Sequence, residues 1–142
     1  MKNNIEIKIV KSWEKNEIIE LYKSAGWWKK EYKESGIEPL IKNSYLFVVA
    51  YDKNKKKAIG MGRLISDGIS DGYIQDLVVL KEFRNYGIGT MIINFILDFC
   101  KSKELLWIGL ISEPDQDKFY EKIGFKKMKN HIPMKYEEDK LG

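Results

Sequence analysis

A chain of 142 residues supports one hydrophobic core and leaves two independent ones marginal, so a single domain over residues 1–142 is expected. Hydrophobic residues at 44% and charged residues at 32% exclude a disordered chain. The net charge of +4 comes from 25 basic residues dispersed among 21 acids, with no nucleic-acid motif, so no nucleic-acid partner is expected.

The first six residues, Met1 to Glu6, hold no apolar leader core, and the expected location is the cytoplasm. Ile5, Ile7 and Ile9 alternate with Glu6, Lys8 and Val10, which predicts a first strand. Ser12 is a candidate cap for a helix from Trp13 to Ala25, with Ile18, Leu21 and Tyr22 facing inward and Gly26 as its stop. Trp27 to Asn43 reads as a less regular helical region interrupted at Gly36 and Pro39. Tyr45–Tyr51 and Ala58–Ile65 are predicted strands. The basic run Lys53-Asn54-Lys55-Lys56-Lys57 between them reads as a solvated hairpin tip, with a phosphate-contacting patch as the alternative. A turn through Asp67-Gly68 and Asp71-Gly72 leads to a further strand, Tyr73–Leu80.

Gly87 to Lys101 carries the strongest helical pattern, with Ile88, Met91, Ile92, Phe95, Ile96 and Phe99 on one stripe. Its apolar run, Met91–Cys100, is broken by Asn94 and Asp98 and is far short of the roughly 20 residues that cross a bilayer, so no membrane partner is expected. Cys100, the only cysteine, leaves no disulfide and no thiolate cluster, and its neighbours predict plain packing. Leu105–Leu110 is a short strand. Pro114 suits the first turn of a helix that carries Phe119 and Tyr120 and closes at Gly124. Phe125 to Tyr136 reads as a last hairpin. His131 has no partner aspartate or cysteine and reads as a surface or strand residue; no metal site is expected. Consecutive strands with short turns imply an antiparallel meander, and the helix between Leu80 and Leu105 implies a parallel crossover. The fold class is therefore α/β (α+β): a mixed sheet with helices on both faces.

The segment from Val78 to Met91 is a strand, a loop and a helix start, with Gly87 and Gly89 at the turn. Glycine lets the backbone approach a ligand, and a helix N-terminus favours a pyrophosphate. Arg84 adds a fixed cation. Taken alone, the two glycines also suit a mere tight turn. A dinucleotide fingerprint needs a third glycine where Ile92 stands, and a Walker loop needs a lysine where Thr90 stands, so both are excluded. What remains is Arg-x-x-Gly-x-Gly between a strand and an amphipathic helix.

That arrangement resembles the acetyl-CoA-binding motif of the GNAT N-acetyltransferase superfamily. Upstream, Asp76-Leu77-Val78-Val79 resembles the family strand that holds the pantetheine arm. Downstream, Phe119-Tyr120-Glu121-Lys122-Ile123-Gly124-Phe125 resembles the family's late Phe-Tyr-x-x-x-Gly-Phe element. Residue-level likeness runs mainly from Tyr73 to Phe125. The resemblance implies a mostly antiparallel central sheet, splayed between the fourth and fifth strands. It implies that acetyl-CoA is the co-substrate, with Arg84, Asn85, Tyr86, Gly87, Ile88, Gly89 and Thr90 cradling its pyrophosphate and the backbone of Leu77, Val78 and Val79 holding its pantetheine. The Val79 N–H is then the oxyanion donor, and Tyr120 the acid facing the CoA sulfur. A phenol near pKa 10 passing its proton to a thiolate near 8.5 is uphill by only about 2 kcal/mol.

Relatives place Glu or His on the cleft face of the strand before the loop. Alternation back from Val79 gives Leu77, Gln75 and Tyr73 on that face, none a good base. Asp76 falls on the other face unless a bulge intervenes, and its expected role is structural. The base is thus unassigned, with Gln75 and Tyr73 as candidates to position a water. Glu113 stands where many relatives have an asparagine. Trp27 and Trp28 lie where relatives build an acceptor wall, either as packing or as substrate contacts; two adjacent residues of a helix cannot both face inward. Asp67 and Asp71 either make turns or attract a cationic amine. The expected acceptor is a small-molecule primary amine. Acetylation of a protein lysine or N-terminus, and a non-catalytic acyl-CoA sensor, are the alternatives. Family habit also implies a homodimer.

Overall fold

The computed structural model of the chain describes residues 4–138. In chain order it contains β1 (Ile5–Ile9), α1 (Lys15–Ser24), α2 (Ile37–Asn43), β2 (Leu46–Asp52), β3 (Lys57–Ser66), β4 (Asp71–Val79), α3 (Ile88–Ser102), β5 (Trp107–Gly109) and α4 (Asp117–Ile123). Short 3₁₀ turns cover Glu34–Gly36 and Lys81–Phe83. The described residues divide into two compact units, one up to Leu110 and one from Ile111 on. No helix among them is long and apolar enough to cross a membrane.

The first unit is built on a sheet in the order β1-β2-β3-β4-β5. The first four strands pair antiparallel, and β5 joins β4 in parallel. This is the expected mixed, mostly antiparallel sheet, because hairpin-length turns join β2 to β3 and β3 to β4, whereas α3 carries the chain back for a parallel pairing. The lysine run forms the β2–β3 turn: Asp52 accepts from Asn54 N at 2.9 Å, and Lys57 Nζ lies 3.0 Å from Glu20.

Helices cover both faces. A Cβ placed on Gly60 or Gly62 would lie 3.1 or 3.0 Å from Ile92, so α3 lies against the even-numbered side of β3. The face of α3 that is buried is Ile88, Ile92, Ile93, Ile96 and Cys100; the Met91–Phe95–Phe99 side is only half-buried. Cys100 is a buried packing residue, and burial raises its thiol pKa. On the opposite face α1 buries Ile18, Leu21 and Tyr22. Its cap is Glu14, not Ser12: the Glu14 carboxylate accepts from Asn16 N at 3.2 Å. Trp13 stays outside the helix, its ring edge-on to Tyr51 and its N–H 2.9 Å from Glu17. Pro39 lies in the first turn of α2 and does not interrupt it, since proline lacks only an N–H that a first turn leaves unbonded anyway.

One irregularity in β4 determines how the rest of that strand faces. On β3, Met61 and Arg63 are two residues apart; their partners on β4, Val78 and Gln75, are three apart. β4 therefore carries one extra residue, a bulge, and Asp76 stands there at φ 60. Aspartate tolerates this left-handed backbone better than most residues, at a cost of about 1 kcal/mol or more. The side chain supplies the compensation. Its Oδ2 accepts from Arg63 Nε at 2.7 Å and from the Tyr22 hydroxyl at 2.8 Å. Hydrogen bonds to a charged partner contribute about 1.5–3 kcal/mol each, so the pair of bonds outweighs the strain.

The bulge corrects the simple alternation. Leu77 and Val79 face α3: Leu77 lies 3.7 Å and Val79 3.3 Å from the Cβ positions of Gly62 and Gly60. Gln75 and Asp76 turn to the opposite face and meet Arg63, Gln75 through Oε1 at 3.0 Å from Arg63 Nη2. Leu77 and Gln75 thus do not share a face.

The second unit contains α4, closed by Gly124 at φ 125. The expected last hairpin over Phe125–Tyr136 is not formed; the described residues there carry no strand. Pro133 has no N–H to give to a ladder, and Ile132, Met134 and Tyr136 are 80%, 90% and 86% exposed, with no strand beside them in this unit.

Burial, then the Asp76 charge, raises the Tyr22 hydroxyl pKa well above that of an ordinary tyrosine. The folded protein therefore keeps a proton that the unfolded chain begins to lose near pH 10. Tyr22 contributes its full stability below that pH and loses it as pH rises further. Tyr22→Phe is expected to lower unfolding stability at pH 7 by about 1–2 kcal/mol. Urea unfolding should show the gap between wild type and variant narrowing by about 1 kcal/mol between pH 9 and pH 11; a constant gap contradicts the raised pKa.

Candidate active site

The pairing of β4 with β5 covers only Asp71–Trp107, Gly72–Ile108 and Tyr73–Gly109. Beyond Tyr73 the strand continues to Val79 with β3 on one side and no strand on the other, among the described residues. Leu80 N–H donates to Ile59 O of β3 at 2.8 Å, so Val79, one residue earlier, turns its own N–H and C=O to the unpaired edge. The carbonyl there is occupied: Arg84 Nε donates to Val79 O at 2.9 Å. The N–H beside it has no strand partner. An unpaired edge is a template for an extended, amide-bearing ligand.

The loop after β4 is fixed at both ends. Phe83 is buried and anchors the 3₁₀ turn, and Arg84 ties back to β4. Asn85 has φ 69 and Gly87 has φ 80, so the backbone curls twice into the left-handed region around the exposed Tyr86. Such a curl brings successive N–H groups toward one point, which suits an anion. Met91 N–H, 3.1 Å from Gly87 O, is the first donor that α3 satisfies. The N–H groups of Gly87, Ile88, Gly89 and Thr90 precede it, and no side chain caps them. Four open donors at the positive end of a 15-residue helix suit an anion. The predicted loop residues from Arg84 to Thr90 thus lie together, directly after the free edge of β4.

On the opposite face of the sheet the sequence stops α1 at Gly26, which has φ 78. Gly26 N–H donates to Lys23 O at 3.0 Å and Trp27 N–H to Tyr22 O at 3.0 Å, the bond pattern of a glycine-terminated helix. Trp27 and Trp28 consequently lie outside any helix, and both rings reach Tyr22, at centroid distances of 6.4 and 6.3 Å. Trp28 also meets Tyr32 edge-on at 5.6 Å. These aromatic side chains, with Arg63 and Asp76, line a cleft of about 440 Å³. Sequence reading singled out the tryptophans and gave Asp76 a structural role, with its face dependent on a bulge; it missed Arg63, which holds Asp76.

The remaining predicted residues fall elsewhere. Asp67 does not line the cleft. It accepts from Ile69 N at 2.7 Å and Ser70 N at 3.0 Å, and those backbone donors, Ser70 first, lower its pKa. It makes the β3–β4 turn. Tyr73 pairs with Ile65 and Gly109 and is also absent from the cleft lining. Tyr120 belongs to the second unit, on α4, packed against Phe119 at 5.0 Å and Phe125 at 5.8 Å. Burial, then the negative charge of Glu113, raises its hydroxyl pKa. His131 Nδ1 lies 2.8 Å from Lys129 O in an exposed turn. Among the described residues, no three His, Cys, Asp or Glu side chains converge as a metal site.

The chain is 32% identical to the N-acetyltransferase ycf52 of Pyropia yezoensis, over 77% of its own length and 63% of that relative's, so it spans less than two thirds of the relative. Its fold superposes on the GNAT-family acetyltransferase SP0256 of Streptococcus pneumoniae with a TM-score of 0.79 at 25% identity, covering 94% of this chain and 98% of the other. The glucosamine-6-phosphate N-acetyltransferase of Arabidopsis thaliana shares the fold at a TM-score of 0.74 and 18% identity, over 94% and 99% of the two chains. The family profile described as the Acetyltransferase (GNAT) domain matches residues 43–127, which takes in β4, the loop, α3 and α4, and the chain belongs to that family.

Proposed function

We propose that this chain transfers the acetyl group of acetyl-CoA to a primary amine of a small molecule, by direct attack within a ternary complex. The observation that carries the reading is the succession of a free strand edge and an open helix N-terminus within one short stretch, Val79 to Thr90. CoA offers the matching chemistry: an extended arm with amide groups, followed by a pyrophosphate. The family match runs across the division at Leu110, which supports treating the chain as one acyltransferase domain.

In this reading the backbone donors from Gly87 to Thr90 hold the pyrophosphate. Arg84 serves first as a strut, because its Nε is committed to Val79 O. That bond fixes the Val79 peptide, and the neighbouring N–H is the donor proposed for the thioester oxygen. An oxyanion donor of this kind contributes about 3–4 kcal/mol to the transition state. The amine nitrogen forms a bond to the acetyl carbon as the carbon–sulfur bond breaks. The departing sulfur takes a proton, for which Tyr120 is the proposed donor. Its raised pKa keeps the phenol protonated throughout the neutral range. Gln75 has its carbonyl oxygen engaged by Arg63, so any water it positions is held by its amide N–H groups.

Calorimetry with acetyl-CoA, paired with thiol release across a panel of amines, tests the proposal. Tight binding with amine-dependent release is expected. Binding without release across the panel favours an acyl-CoA sensor, and no binding removes the reading altogether. Gly87→Ala forces a side chain into a left-handed position and is expected to weaken acetyl-CoA binding about tenfold while costing about 1 kcal/mol of stability. Tyr120→Phe is expected to lower turnover by roughly a hundredfold or more and to change acetyl-CoA binding less than about twofold. Unchanged turnover would remove the acid role.

A further inference from the structure

The cleft on the α1 side of the sheet has a floor, walls and a mouth of different chemistry. Its floor is the Asp76–Arg63 pair. Asp76 uses a single oxygen, Oδ2, for both of its hydrogen bonds, to Tyr22 and to Arg63. Its Oδ1 has no hydrogen-bond partner among the described residues, and the side chain is 21% exposed. One carboxylate oxygen is therefore presented to the cleft. Arg63, although cationic, is committed: Nε to Asp76, Nη2 to Gln75 at 3.0 Å and Nη1 to Ser44 Oγ at 3.4 Å. The walls are the rings of Tyr22, Trp27, Trp28 and Tyr32. Glu31 and Lys33 stand at the exposed mouth and offset one another in charge.

A negative oxygen beneath four aromatic side chains matches an organic ammonium with an apolar body. The ammonium donates to the carboxylate, and the ring faces attract both its charge and its hydrocarbon. A phosphorylated or carboxylated acceptor is matched less well, because three of the five N–H groups of the floor cation are already bonded. We propose that the acceptor of this chain is a primary amine on an aromatic or aliphatic body without anionic groups, docked with its ammonium on Asp76 Oδ1. The inference rests on the acetyltransferase reading above and supplies its acceptor class.

Asp76 stands three residues before Val79, at most about 10 Å along the strand, so an amine docked there lies near the proposed thioester position. The ammonium releases one proton to solvent, and the neutral amine then attacks. The products are the N-acetyl amide and free CoA thiol, with one proton released overall. Asp76 acts here as a binding and positioning residue.

The test uses the full chain with 2-phenylethylamine, n-butylamine and glucosamine 6-phosphate as acceptors, followed by thiol release, with acetyl-CoA binding measured separately. The two apolar amines are expected to show kcat/KM at least tenfold above the phosphorylated sugar. Asp76→Asn keeps the shape and a residue at ease in left-handed backbone. It is expected to raise KM for the apolar amines tenfold or more, with acetyl-CoA binding unchanged. Trp28→Ala, at a half-buried wall position, serves if the first variant fails to fold. It is expected to raise KM for 2-phenylethylamine about tenfold and that for n-butylamine less. Preference for the phosphorylated sugar overturns the acceptor class while leaving the acetyltransferase reading intact. Acetyl-CoA binding without release from either apolar amine also overturns the class. Failure to bind acetyl-CoA removes the parent reading instead.

Discussion

An aspartate held in left-handed backbone by a tyrosine and an arginine sets the geometry of the first unit. Without the inserted residue at Asp76, β4 would alternate regularly from Tyr73 to Val79 and would present one unbroken set of side chains to each face. The bulge divides the strand: its first half sends Gln75 and Asp76 to the α1 side, and its second half sends Leu77 and Val79 to α3. The strained conformation persists because two charge-assisted hydrogen bonds outweigh it, and both side chains of the ion pair are half-buried, Arg63 at 17% and Asp76 at 21% exposure. A part-buried ion pair of this kind adds little stability over an apolar substitute, but removing one partner leaves a charge poorly solvated, at a cost below the roughly 3–5 kcal/mol of a fully buried pair. The network therefore acts more as a constraint on shape than as a reserve of stability.

That constraint links the two faces of the sheet. On one side it places a carboxylate oxygen beneath the aromatic cleft. Past the bulge, β4 runs beyond its short pairing with β5 as a free edge that leads into the loop Arg84–Thr90. Arg84 contributes to the same end, since a guanidinium bonded to Val79 O fixes the residue whose own N–H lies at the edge. The loop glycines do different work: Gly87 supplies the left-handed turn into α3, and with the residues after it leaves donors open at the helix start. An acyl donor on the edge and an amine on the cleft side would meet at the bulge.

Much of the fold was legible because local patterns and their order agree. Alternation found β1, runs of strand-forming residues found β2 and β3, the strand–loop–helix signature found the turn into α3, and the parallel crossover followed from that helix. The failures have physical causes. The α3 stripe was read around Phe95 and Phe99, but the helix turns Ile93 and Cys100 inward, and only a packing partner decides which edge of a broad apolar face is buried. A hairpin over Phe125–Tyr136 needs a partner strand, and the local sequence says nothing of whether one exists. The sequence pattern places Trp27 and Trp28 in a helical region, whereas Gly26 ends the helix one residue earlier and frees both rings to meet Tyr22. The bulge left no mark in the sequence, since an aspartate in a strand is compatible with either parity. With it went the chance to place Asp76 in the cleft and to see the role of Arg63, which lies thirteen residues away and meets it only through strand pairing.

The central claim is that the free edge of β4 and the open start of α3 together hold acetyl-CoA. Amide-resolved hydrogen exchange, with and without acetyl-CoA, tests it most directly. The account predicts slowed exchange at Val79 and from Gly87 to Thr90 on addition of the ligand, with the β1–β2 pairing unaffected. Binding that leaves those amides unchanged, or that protects a different part of the chain, would contradict it.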